Sequence, residues 1–127
     1  MIVPCEVAAK SIIPAVRALM ARELLLKYDM KQNQVAEILG VSQSAVSKYY
    51  GKVRGNAVKI EDLKDIQASV NTMITLLIKG KNQRTEALRL FCRICVAIRE
   101  KGLMCQLCQK TDPSIETEKC TFCLSTT

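Results

Sequence analysis

The sequence predicts an all-α protein that ends in a small cysteine-rich segment. Three observations carry this. Apolar residues recur at steps of three and four along several stretches, the repeat of one helix face. Val and Ile, which otherwise favour strands, fall within that spacing instead of alternating. Glycines stand where the periodic stretches end, at Gly40, Gly51, Gly80 and Gly102. The 127 residues (14.1 kDa) make one average domain or two very small ones. Hydrophobic residues make up 49% and charged residues 24%, as in a packed soluble protein. Aromatics are only 4%, with no Trp, so Leu, Ile, Val, Ala and Met must build the core.

Residues 14–28 read as a first helix. Ser11 is a candidate cap, and Pro14 is tolerated in a first turn. Val16, Leu19, Met20 and either Glu23 or Leu24 form its stripe, and Asp29 breaks the pattern. Residues 32–39 read as a short second helix, with Gly40 taking the positive φ of a tight exit. Ser42 then caps a third helix over 43–50, which Gly51 ends. Residues 51–59 read as a loop holding Lys52, Arg54 and Lys59.

A long amphipathic helix follows over 60–79. Ile60, Leu63, Ile66, Val70, Met73, Ile74 and Leu77 make the apolar seam that packing or coiling requires. Leu63, Ile66, Val70 and Met73 are the candidates for a dimer contact. Residues 79–82 break the helix, and Thr85 and Glu86 open another that runs to Glu100. From Leu103 onward cysteines come in pairs, Pro113 interrupts, and Ser and Thr close the chain. The expected organisation is a two-helix reading unit within 1–59, a linking and dimerisation helix over 60–81, and a helix with a cysteine-rich tail over 82–127.

The strongest motif spans residues 32–49. Ala36 is small where two short helices would touch, Gly40 makes the turn, and Val35, Leu39, Val41 and Val46 fill the seam. Gln43, Ser44, Ser47 and Lys48 then share the outward face of the second helix. Such a face can enter the major groove of DNA, where Gln can bond two edges of adenine and Ser or Lys several bases. Tyr49 is expected in the core. The plainer alternative is a helical hairpin with no DNA role. Charge argues against it: nine basic and four acidic residues lie in 1–59, a net +5 of the chain's +7.

Gln32, Ala36, Gly40, Val46 and the run Ser42-Gln-Ser-Ala-Val-Ser47 resemble the helix-turn-helix of phage-repressor-type (XRE-like) transcriptional regulators. Val3-Pro4-Cys5-Glu6, Pro14-Ala-Val-Arg-Ala18 and the cysteine-rich end resemble a narrower group of small archaeal regulators. A similar N-terminal segment occurs fused to a thiamine-phosphate synthase domain in some archaea; this chain has no room for that enzyme. The resemblance implies that Gln32 contacts a phosphate and Gln43 reads a base. Ser42, Ser44, Ser47 and Lys48 complete the expected DNA-binding set, with Lys52 and Arg54 tracking the backbone, where cations position without specifying sequence. A pairing of two copies, a homodimer, is expected on duplex DNA because one recognition helix reads few base pairs.

Six of the seven cysteines form three C-x2-C pairs: Cys92/Cys95, Cys105/Cys108 and Cys120/Cys123. Two intervening residues let both thiols face one ion. The candidates are an iron–sulfur cluster, structural zinc, disulfides, and buried apolar thiols. Val96, Gln109 and Leu124 follow the pairs where zinc knuckles place Gly or a basic residue, which favours iron–sulfur over zinc. Four ligands suffice and six are offered, so one pair is spare. Cys5 stands apart: a core thiol near the first helix and a role at the cluster are equally open, and it is left out of the ligand set.

The sequence has no His, which removes the commonest general base and the commonest nitrogen metal ligand. The expectation is no enzyme; an oxidoreductase is disfavoured by the lack of a βαβ pattern around the thiols. No apolar run approaches the roughly 18 residues that span a bilayer, and no basic region followed by an apolar stretch opens the chain, so a cytoplasmic location is expected. The reading favoured is a sequence-specific transcriptional regulator with a cysteine-held sensor or staple. A metal-stabilised adaptor of the transcription machinery, without its own sequence specificity, is the competing class.

Overall fold

A computed structural model describes residues 3–52, 55, 58–114, 120 and 123. It is all-helical, and the described residues contain no strand. Among the described residues, seven α-helices run in chain order: α1 (Pro4–Lys10), α2 (Ile12–Leu26), α3 (Gln32–Leu39), α4 (Gln43–Tyr50), α5 (Lys64–Lys79), α6 (Arg84–Glu100) and α7 (Cys105–Thr111). Among the described residues, no helix is long and apolar enough to cross a membrane.

Helix α1 was not expected from the sequence. Pro4 occupies its first turn, where a missing N–H costs nothing. The Glu6 carboxylate accepts from the Val3 N–H at 3.3 Å. Ser11 joins α1 to α2, but not through the expected side-chain cap. Its hydroxyl donates to the Val7 carbonyl at 2.6 Å, so it closes α1 while α2 starts at Ile12, ahead of the predicted residue 14.

Helix α2 is the spine of the molecule and contacts α1, α3, α4, α5 and α6. Ala15, Ala18 and Ala21 are buried along it and let neighbours approach closely, while Ile12, Val16, Met20 and Leu24 fill the space between. Asp29, at φ 51°, makes the turn that leads out of the helix.

Helices α5 and α6 pair as a hairpin across Gly80 and a 3₁₀ turn at Lys81–Gln83, and α5 also lies on α2. The long helix begins at Lys64, later than predicted, because residues 61–63 form a turn closed by the Leu63 N–H to the Ile60 carbonyl at 3.1 Å. Ile66, Val70 and Met73 are buried within the chain's own core, and Leu63 packs half-buried against it. The stripe expected to form a dimer seam is therefore consumed inside the protomer. An amphipathic helix satisfies its apolar face equally on its own chain or on another, and here α2 and α6 supply the partner.

The first part of the cysteine-rich segment, through residue 114, packs into the fold. Gly102, at φ 75°, turns the chain out of α6, Met104 is fully buried, and α7 docks on α1. Lys101 pairs with Asp65 at 3.2 Å, tying the end of α6 to the start of α5.

Candidate nucleic-acid interface and cysteine cluster

The turn between α3 and α4 follows from local chemistry. Lys31 lends its N–H to the Gln34 side chain at 2.9 Å, which fixes the start of α3. Gly40 sits in the left-handed region at φ 69°, ψ 33°, and the Val41 N–H reaches back to the Ala36 carbonyl at 3.0 Å. Ser42 caps α4 as predicted, its oxygen accepting from the Ala45 N–H at 3.1 Å. That oxygen also lies 3.1 Å from the Ser44 hydroxyl, so both hydroxyls belong to one small network at the start of the helix.

Burial then sorts the two faces of α4. Ala45, Val46 and Tyr49 are buried, with Val46 fully inaccessible. Gln43, Ser44, Ser47 and Lys48 are exposed, as is Ser42. Across the turn, Val35 and Ala36 are buried and Leu39 and Val41 half-buried, which is the predicted seam. Gln32 is the first residue of α3 and half-buried. Lys52 is exposed just past α4, in the left-handed region at φ 59°. Arg54, expected beside it, lies outside the described residues. The result is one polar face with no acidic residue on α4, flanked by Lys48 and Lys52.

Four cysteines, Cys5, Cys95, Cys108 and Cys123, lie near Arg99. This arginine is 6% exposed, although it carries a full charge. Its Nε donates to Cys123 Sγ at 3.5 Å and its Nη1 contacts Cys5 Sγ at 3.9 Å. Burial weakens the protonated guanidinium, but the Cys123 hydrogen bond and the Cys123, Cys5 and Cys95 sulfurs outweigh it and hold its pKa above the ordinary value. Burial pushes the Cys95 thiol up; Arg99 opposes this, and Cys5 and Cys92 add to it. Burial also raises Cys108, with Cys123, Cys105 and Cys120 adding to it and Arg99 opposing. Cys92 thus interacts with Cys95, and Cys105 and Cys120 with Cys108, while Arg99 acts on Cys5, Cys95, Cys108 and Cys123.

Arg99 was missed in the sequence, and Cys5 was left out of the ligand set. Cys92, Cys95 and Arg99 recur at i, i+3 and i+7, one face of α6, and that signal was available. Cys5 had none, because only the docking of α1 beside α7 brings it near. No disulfide joins the seven cysteines. Among the described residues, no group of three or more Cys, Asp or Glu side chains is arranged to hold a metal ion. The Arg99 guanidinium addresses one sulfur of a spaced pair, Cys123, and the separate Cys5. Hydrogen bonds to metal-bound sulfur are a normal means of tuning such sites.

Helix α3, the glycine turn and helix α4 together define a helix-turn-helix, a fold that presents its second helix to the major groove. Residues 22–49 match the family model for the helix-turn-helix, which supports the XRE-like resemblance and a DNA-binding regulator. No curated protein and no solved structure matches the chain.

Proposed function

We propose that the chain is a sequence-specific transcriptional regulator that binds duplex DNA as a homodimer and carries a thiolate-held iron–sulfur cluster or zinc ion at its cysteine end. The narrower likeness to small archaeal regulators with cysteine-rich tails belongs to this proposal. The observation that carries it is the division of α4. One face is locked into the core by Ala45, Val46 and Tyr49, and the other presents Gln43, Ser44, Ser47 and Lys48 to solvent. Gln43 is the base reader, Ser44, Ser47 and Lys48 face bases or phosphates, and Gln32 and Ser42 meet phosphates at the two helix starts. Lys52 and Arg54 supply sequence-independent attraction. The two copies pair through a surface other than the buried stripe of α5.

Cys92, Cys95, Cys105, Cys108, Cys120 and Cys123 are the candidate ligands, and four of them suffice for either group. When bound, the metal would cross-link a short segment and provide a centre that oxidation or metal loss changes. Below about 40 residues a folding unit usually needs such a cross-link. Arg99 offsets part of the negative charge that the thiolates bring.

Selection of binding sites from a random duplex pool tests the reading unit. A defined enriched sequence is expected, and recovery of only unselected DNA would instead identify an adaptor without sequence preference. Operator affinity of the metal-loaded and metal-free protein, at one salt concentration, tests the sensor. A coupling of about 1–3 kcal/mol is expected, the usual range of allosteric linkage. Equal affinities would leave the metal a structural role only.

A further inference from the structure

The last turn of α3, the end of α5 and the start of α6 border a groove beside the Gly40 turn. It consists of two hollows of about 80 and 150 Å³, which share Ile38, Leu77 and Arg84 as lining residues. Leu88 and Phe91 extend the apolar wall along α6, and Leu88 remains 58% exposed. An apolar cavity of about 150 Å³ takes a molecule of the size of benzene.

Two cations line the same groove. Arg17 of α2 and Arg84 of α6 both border the smaller hollow. Neither guanidinium has a hydrogen bond or an ion pair among the described residues, whereas Arg89, further along α6, pairs with Glu86 at 2.6 Å. A guanidinium presents a fork of donors that matches a carboxylate through two parallel bonds. Apolar surroundings reduce screening and strengthen such a pair. Glu37 lines the larger hollow; it is exposed and makes no ion pair with Arg84. Its charge disfavours a ligand with a second negative group.

We propose that this groove binds a small carboxylate with one negative charge and an apolar body of about the size of a benzene ring. The carboxylate meets Arg17 and Arg84, and the body lies on Ile38, Leu77, Leu88 and Phe91. The site also touches the reading unit. Ile38 and Leu39 end α3, and Arg84 Nη2 would stand 3.0 Å from a Cβ at Gly40. A ligand held here ties the last turn of α3 to the α5–α6 hairpin and draws on the guanidinium that lies against the turn. Occupancy therefore alters DNA affinity. That consequence rests on the reading of α4 as the DNA-reading helix; the binding itself does not.

The test titrates the full-length chain with benzoate and isovalerate, and with benzamide as the uncharged counterpart, by calorimetry in the absence of DNA. Both carboxylates should saturate at one per chain with a Kd of about 1 mM or below, and benzamide should bind about tenfold more weakly. Arg17→Met and Arg84→Met should each lose about tenfold. Neither side chain has a polar partner to lose, so both variants should fold, which far-ultraviolet circular dichroism checks. Leu88→Glu, on the exposed wall, provides an independent variant and should also weaken benzoate. Absence of saturable binding, benzamide binding as well as benzoate, or variants that match wild type would each overturn the site. So would a wild-type dimer that Leu88→Glu disperses and benzoate leaves intact, because a second copy would then cover the groove. Operator affinity is measured with and without saturating benzoate at one salt concentration, and a change of about fivefold or more is expected. Unchanged affinity in a chain that binds benzoate and selects DNA would overturn the coupling. A chain that binds benzoate but no DNA would overturn the DNA reading and leave the carboxylate site standing.

Discussion

Arg84, the first residue of α6, lies against the Gly40 turn: a Cβ at Gly40 would stand 3.0 Å from Arg84 Nη2. The C-terminal hairpin thereby touches the one residue that sets the angle between α3 and α4. Gly40→Ala should cost about 1–2 kcal/mol, because the left-handed backbone at φ 69° is strained with a side chain. The Arg84 side chain can move aside, so Arg84→Ala should not rescue the loss. Gly55→Ala should cost more. At φ 83° its Cβ would meet the Pro14 carbonyl oxygen at 2.5 Å and Ala18 Cβ at 2.7 Å, both fixed in α2. Urea unfolding of the variants checks the order.

Met73→Ala should remove about 2–5 kcal/mol of stability, the usual cost of emptying a packed core position. Met73 is 1% exposed and lies where α5 meets α2 and α6. The loss should be independent of protein concentration. A midpoint that depends on concentration, with a monomeric variant still folded, would return this stripe to a dimer seam.

Gln43→Ala and Lys52→Gln should separate reading from positioning. Loss of Gln43 should cost about 1–3 kcal/mol at one or two base pairs of the selected site and little on random DNA. Loss of Lys52 should weaken all sequences alike and reduce the salt slope by about one phosphate contact. The measurement is affinity on both DNAs across a range of salt. Identical losses on both DNAs for the two variants would remove the distinction.

The reduced, metal-free chain should lose stability on the alkaline side. The Cys95 and Cys108 thiols lie above the ordinary value of 9.0, so the folded state holds their protons more tightly than the unfolded one. Their contribution is complete below about pH 9 and is lost as pH rises through the raised folded values. Thermal unfolding between pH 8 and pH 10.5 should show the decline. At pH 8.5, iodoacetamide should modify exposed Cys92 and Cys120 before buried Cys108.

The reading unit was legible because its chemistry is local. Ser42 as a cap, Gly40 as a left-handed exit, and Ala36 and Val46 as seam residues are each decided by neighbours a few positions away. The rest depends on partners that spacing does not name. Helix α1 is seven residues long, too short for a periodic stripe to stand out. Helix α7 hides in Cys105-Gln-Leu-Cys-Gln-Lys-Thr111, where paired thiols suggested an irregular tail. The stripe of α5 was visible, but its partner was not. Arg99 follows Cys92 and Cys95 on one helix face, but only the tertiary fold brings Cys5 and Cys123 to it.

The docking of α1 on α7 has a kinetic consequence. Most other helix contacts join neighbours along the chain, such as α1 with α2, α3 with α4 and α5 with α6, and close short loops. Bringing α1 to α7 closes a loop that spans nearly the whole sequence, and closure entropy grows with loop length. This contact is therefore expected to form last in folding and to open first in native-state hydrogen exchange, ahead of the core around α2. Cys5 and the α7 thiols would then become reactive in a species whose reading helix is still folded.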